Sequence, residues 1–131
     1  MSEYFGSQQT IVAFNGTALT NAYTGNRFTF QTGGFTKLSI DASYAMGAAE
    51  TANTMELQLE HSPDDGANWY KLVIDTTATA STITPREWTM APDKLNVILD
   101  IAYKTMRISL KESGVATNAG TASVSLTLSG L

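Results

Sequence analysis

Polar and apolar residues alternate along most of this chain with a period of two, the spacing of a pleated strand whose side chains point by turns to a core and to water. The clearest segment is Thr54 to His61, where Met55, Leu57 and Leu59 point one way and Glu56, Gln58 and Glu60 the other. Thr121 to Ser129 is nearly ideal: Ala122, Val124, Leu126 and Leu128 face in, while Thr121, Ser123, Ser125, Thr127 and Ser129 face out. Lys104 to Lys111 alternates in the same way. Leu95 to Ile101 is so dense in aliphatics that it predicts a strand buried on both faces. Further strands are expected at Thr10 to Phe14, Arg27 to Thr32, Phe35 to Ser43 and Trp69 to Ile74. No long window carries apolar residues at helical spacing, so helix should be scarce.

Turn residues divide these segments. Asn15-Gly16 predicts a tight turn after the first strand, and Gly33-Gly34 reads as a two-residue hairpin between the second and third. Ala45 to Asn53, small and Gly/Ala-rich, is expected to be a loop with room for one helical turn. Thr76 to Thr84 is a low-complexity Thr/Ala/Ser stretch, expected to form a long loop or an exposed edge. The sum is about eight or nine strands of ordinary length at the turn spacing of sandwiches. The predicted fold is therefore all-β, a two-sheet antiparallel β-sandwich of jelly-roll-like character, with residues 1–9 as an N-terminal arm and 10–131 as one domain. One strand pairing is suggested by charge: Glu56 and Glu60 would match Arg107 and Lys111 if their strands were antiparallel neighbours.

Composition narrows the chemistry. In 131 residues, 43% are hydrophobic and 15% charged, enough apolar material for one core, with Thr, Ser, Asn and Gln left to solvate the surface. The net charge is −4 and the eight Lys and Arg are scattered, so the basic stripe of a nucleic-acid binder is missing. With no cysteine, thiol catalysis, thiolate metal sites and disulfides are excluded. The start, Met1 to Gly6, lacks a basic segment followed by an apolar one, and no run approaches the length that spans a bilayer. Neither secretion nor membrane insertion is expected.

The most informative local signal is Ser62-Pro63-Asp64-Asp65-Gly66-Ala67-Asn68-Trp69, set between two strong strands. Asp64 and Asp65 suit hydrogen bonds from nearby backbone N–H groups, Gly66 supplies positive φ, and Trp69 has the reach to fold over the turn. The spacing resembles the Asp box, Ser-x-Asp-x-Gly-x-x-Trp, a structural hairpin of sialidase-type propellers. It occurs once, in a chain too short for a propeller, so the resemblance implies turn geometry without sialidase activity. Ser62, Asp64, Asp65, Gly66 and Trp69 are read as a structural turn.

A broader resemblance covers most of residues 34 to 112. Gly34-Phe35-Thr36-Lys37-Leu38-Ser39-Ile40, then Leu57 to Gly66 with Trp69 and Leu72, then Met106-Arg107-Ile108-Ser109-Leu110, is similar to the small β-sandwich virion proteins of tailed bacteriophages. What this resemblance implies is a capsid decoration (cement) protein, or else a neck, tail or fibre component. It further implies a homo-oligomer, a trimer foremost, that clamps major capsid protein or other virion proteins at the capsid surface after synthesis in the host cytoplasm.

His61 is the single histidine, so a Ser-His-Asp triad or a multi-histidine metal site would have to run through it, and its place at a strand end fits a turn-flanking, partly buried ring better. Asp64 and Asp65 offer fewer oxygens than the six or more that a calcium loop gathers, so turn capping is the stronger reading. Glu56, Glu60, Glu87 and Asp100 stay open as a glycosidase-type carboxylate pair, but nothing singles them out. No catalytic residue, metal or cofactor is expected. Of the aromatics, Tyr23, Tyr44, Trp69, Tyr70 and Tyr103 are expected mostly in packing. Tyr4 and Phe5, adjacent ahead of the first strand, suggest an arm that docks on a neighbouring subunit, and Trp88 is a third candidate interface residue. The rivals are a carbohydrate-binding module, which would display coplanar exposed aromatics, Trp88 among them, and, weaker, a small hydrolase.

Overall fold

The alternation folds as its period demands. The computed structural model describes residues 8–72, 87–113 and 118–130. Within them nine strands run as β1 (Gln8–Ala18), β2 (Arg27–Gln31), β3 (Lys37–Ala45), β4 (Thr54–Ser62), β5 (Tyr70–Lys71), β6 (Glu87–Met90), β7 (Asp93–Asp100), β8 (Thr105–Ser113) and β9 (Thr121–Ser129), with one 3-10 turn at Tyr23–Gly25. One sheet has the order β1-β9-β3-β7 and the other β2-β8-β4-β5, with β6 also on β4. Every pairing is antiparallel. Successive strands alternate between the two sheets except from β4 to β6, which share one, and this is the strand order of a jelly roll.

The core lies between the sheets. Leu38 and Ile40 of β3, Met55, Leu57 and Leu59 of β4, Met106, Ile108 and Leu110 of β8, and Val124, Leu126 and Leu128 of β9 are all buried. Phe28 lies 6.4 Å, centroid to centroid, from both Phe14 and Phe30, so aromatic rings extend this core along the β1–β2 side. Burying side chains of this size is the main source of stability, at roughly 1.5–3 kcal/mol each.

β5 and β6 lie along the same edge of β4. Lys71 stands opposite Glu60, the Leu72 N–H donates to Leu59 O at 3.2 Å, and Glu87 stands opposite Gln58. Along β4, the partner of Gln58 is thus Glu87 and the partner of Glu60 is Lys71, so β5 and β6 follow one another on the same edge. Of the expected strand Trp69 to Ile74, only Tyr70–Lys71 is strand among the described residues. The Thr76 to Thr84 stretch lies outside them.

Four expectations are corrected. Gly33-Gly34 does not close a hairpin, because β2 and β3 belong to different sheets. Thr32 is held by the carbonyls of Tyr103 and Lys104 (Oγ1 to Tyr103 O 2.5 Å, N to Lys104 O 2.9 Å), while Thr36 N donates to Ser129 O at 3.1 Å in the opposite sheet. The two glycines, at φ 60 and 84, turn the chain across the gap between these anchors. Asn15-Gly16 is not a turn but a bulge inside β1, within the register shift between Phe14 and Thr17, with Gly16 at φ 59; a second shift lies between Val12 and Phe14. β7 is not buried on both faces: it is an edge strand, and Ile98 is 70% exposed. Finally, the first strand, expected from Thr10, already includes Gln8 and Gln9, which pair with Ser129 and Leu128. The loop after β3 turns without a helix, Glu50 N donating to Gly47 O at 3.2 Å.

The pairing suggested by charge is present. β4 and β8 are antiparallel neighbours with Glu60 opposite Arg107 and Glu56 opposite Lys111. Their shared outer face is covered, not open to water, with Gln58 3% and Glu60 5% exposed. Arg107 Nε donates to Glu60 Oε1 at 2.8 Å and its guanidinium lies 4.3 Å from the Trp69 ring centroid. Lys111 Nζ lies 3.4 Å from Glu56 Oε2 and 4.7 Å from the centroid of Tyr23. Two carboxylate–cation–aromatic stacks therefore roof the sheet. Losing Arg107 leaves a buried carboxylate without its cation, so Arg107→Ala is expected to lower stability by about 3–5 kcal/mol. The partly exposed Lys111–Glu56 pair should be worth less than about 1 kcal/mol on Lys111→Ala. Urea denaturation of the two variants checks that order.

Candidate functional site

The turn singled out by its sequence is built from its own side chains. The Ser62 hydroxyl donates to Asp64 Oδ1 at 2.8 Å and accepts from the backbone N–H of Gly66 at 2.7 Å and of Asp64 at 3.4 Å. Asp64 Oδ1 accepts from Asn68 N at 2.8 Å, and Asp64 Oδ2 from Asn68 Nδ2 at 2.6 Å. Hydrogen bonds from the Asn68 side chain and backbone and from Ser62 hold the Asp64 carboxyl below the ordinary carboxylate range. With both oxygens occupied inside the turn, Asp64 acts as a cap. Asp65 takes φ 57 beside Gly66 at φ 98 in the turn, and its carboxylate faces Lys104 Nζ at 3.7 Å, both side chains exposed. Trp69 lies near Gly66 and carries Arg107 on its ring, tying the turn to the roof of the sheet.

His61 and its neighbours complete this pole. The imidazole stacks on Tyr103 at 4.2 Å between centroids and approaches Tyr70 at 5.9 Å, with planes tilted by 30° and 33°. Burial lowers the His61 pKa, because the charged imidazolium loses hydration. Beside it a shallow depression of about 300 Å³ is lined by His61, Pro63, Asp65, Tyr103 and Lys104. A larger one of about 690 Å³ adjoins it, lined by Gln31, Gly33, Phe35, Ile101 and Tyr103. Among the described residues no group of three or more His, Cys, Asp or Glu is placed to hold a metal ion.

At another site Glu112, 4% exposed, receives the Tyr44 hydroxyl on Oε2 at 2.5 Å and the Gly120 N–H on Oε1 at 3.0 Å. Burial first, and then the hydrogen bond to Glu112, push the Tyr44 phenol above its ordinary pKa. A Cβ on Gly120 would lie 2.4 Å from Glu112 Oε2 and 2.7 Å from Ala45 O. Glycine is required there so that β9 can enter against the carboxylate.

The remaining candidates separate. Glu56 and Glu60 are engaged in the two stacks, and Asp100 pairs with Lys37 at 2.9 Å, so these carboxylates are not gathered at one place. Glu87 and Trp88 stand opposite Gln58 and Leu57 in the β6–β4 ladder. Tyr4 and Phe5 lie outside the described residues. Sequence reasoning missed Asn68, hidden as a variable position of the turn motif. It also missed the Tyr44–Glu112 pair, whose members are far apart in the chain and carry no local signal.

No protein-family model and no curated protein sequence matches this chain. Among solved structures, it is similar to part of dimeric latent PorU from Porphyromonas gingivalis, with TM-score 0.44 and 10% identity over 93% of this chain. It is also similar to part of a family two carbohydrate esterase from Cellvibrio japonicus, with TM-score 0.38 and 11% identity over 95% of this chain. A third likeness is to the full particle of Israeli acute paralysis virus, with TM-score 0.33, 10% identity and coverage of 94% of this chain and 68% of that one. The chain spans 12% and 34% of the length of the first two.

Two outcomes follow. Since the folded His61 binds a proton less readily than the unfolded chain, its contribution is intact above its ordinary pKa of 6.5 and is lost as pH falls below that value. His61→Phe should flatten this part of a stability–pH profile, leaving the loss below 3.8 that protonation of Asp64 brings. Gly120→Ala should cost about 1–3 kcal/mol by overpacking, read in urea.

Proposed function

We propose that this protein is a non-enzymatic virion structural protein of a tailed bacteriophage, a capsid decoration protein that stabilises the shell by binding across subunit junctions. The observation that carries the reading is the jelly-roll strand order combined with how the polar side chains are used. Glu60, Glu56, Glu112, Asp64 and His61, the groups with most chemical potential, are engaged in holding strands, a turn and a ring stack. The outer face of the β1-β9-β3-β7 sheet adds support. Ser39, Ser43, Ser123, Ser125 and Thr127, with Asp41 among them, line its middle strands, mostly short side chains over which a protein surface can pack closely. The sequence likeness to phage virion sandwiches over residues 34 to 112 points the same way.

Mechanistically, a protein that binds the assembled lattice and not free subunits stabilises the lattice by mass action, by about 2.7 kcal/mol per site at a hundredfold excess over Kd. The chain needs no chemistry for this, only a rigid body that keeps its contact surfaces in place. The test mixes the purified protein with heads assembled from the major capsid protein of the same genome, and with that protein unassembled. Co-sedimentation with heads alone, together with a raised temperature of head disruption, is the expected result. Failure to bind heads, or equal binding to unassembled subunits, overturns the decoration role.

A further inference from the structure

A sandwich has four sheet edges, and each is a row of backbone groups able to pair with another chain unless something prevents it. Three edges here carry such a device. β1 is broken by two register shifts. β2 is only five residues long. The edge of β4 is occupied by β5 and β6, two and four residues long. β7 differs: its eight residues pair with β3 without a register shift from Tyr44–Asp93 to Lys37–Asp100, and it holds no proline. Among the described residues nothing pairs with its other side.

We infer that β7 is a self-association edge, pairing antiparallel with β7 of a second copy of this chain about a two-fold axis at Val97. The strand's own pattern selects that occupant and that register. Opposed residues of an antiparallel pair share a face, so an axis through one residue must match inward with inward and outward with outward. Leu95, Val97 and Leu99 pack on the core side, and Lys94, Asn96, Ile98 and Asp100 point out. With the axis at Val97, Leu95 meets Leu99 of the second copy, Val97 meets its own counterpart, and Asn96 meets Ile98. Lys94 then stands opposite Asp100 of the second copy, once on each side of the axis. Asp100 is already paired with Lys37 at 2.9 Å and is exposed, so the added lysine makes a three-member charge row across the junction. The two Ile98 side chains, 70% exposed in the single chain, become diagonal neighbours. An axis at Asn96 would instead set Lys94 against Ile98 and Asp93 against Leu99, without any charge match.

The product is a continuous eight-stranded sheet, β1-β9-β3-β7 joined to its symmetry mate. An isologous contact closes at two copies, so it is separate from any three-fold contact, and the two together would give an assembly with an even number of chains. The inference does not depend on the virion reading.

Sedimentation equilibrium of the full chain over a concentration series tests it, with circular dichroism of every variant to verify the fold. The wild type is expected to associate reversibly into even-numbered species. Ile98→Lys places a charge on the exposed side of the edge without touching the core, and should weaken association by about tenfold. Lys94→Asp and Asp100→Lys should each weaken it alone, and an equal mixture of the two should recover a mixed pair, since every junction then matches opposite charges. A concentration-independent monomer overturns the inference and leaves the decoration role standing. So does an oligomer indifferent to Ile98→Lys, or a mixture no tighter than its components.

Discussion

The pairing of β4 with β8 is the constraint on which the rest of the structure hangs. Its inner side sets Leu57 against Leu110 and Leu59 against Ile108, and its outer side sets Glu60 against Arg107 and Glu56 against Lys111. A slip of one residue would carry the leucines to the roof and the charges to the core, so both faces enforce the same register. Neither face alone would be as selective: the hydrophobic side tolerates a shift by two, and it is the charge pairs that make such a shift unfavourable.

Other parts are tied to this pair. Trp69 lies on Arg107, which fixes the polar turn, and Tyr23 lies on Lys111, which fixes the 3-10 turn between β1 and β2. β2 joins the far side of β8 and β5 and β6 join the far side of β4. The polar groups that a sequence reader would inspect for catalysis are thereby turned into structural members. The same architecture concentrates what is available for contact on sheet faces and edges, where short hydroxyls and an unguarded β7 lie.

Much of the fold was legible because a strand with one covered face writes its period directly into the chain. The alternation at Met55 to Glu60 and at Thr121 to Ser129, the scarcity of helix, and the Glu56/Glu60 match with Arg107 and Lys111 are all legible in the chain itself. The Ser62 to Trp69 turn was readable too, since its hydrogen bonds run between residues at most four apart. Local interactions leave local patterns.

What the sequence could not state was which sheet each strand joins. Gly33-Gly34 supplies positive φ whether it closes a hairpin or crosses between sheets, and only the anchors at Lys104 and Ser129 decide. Asn15-Gly16 serves a turn or a bulge equally well, and pairing with β9 selects the bulge. The aliphatics of β7 look like those of a central strand, yet its neighbours place it at an edge and leave Ile98 in water. The sequence by itself determined strand identity and facing, because those follow from dihedral preference and burial one segment at a time. Tertiary structure alone decided strand order, edges and the partners of Glu112, because these depend on contacts between residues far apart, which no single segment encodes.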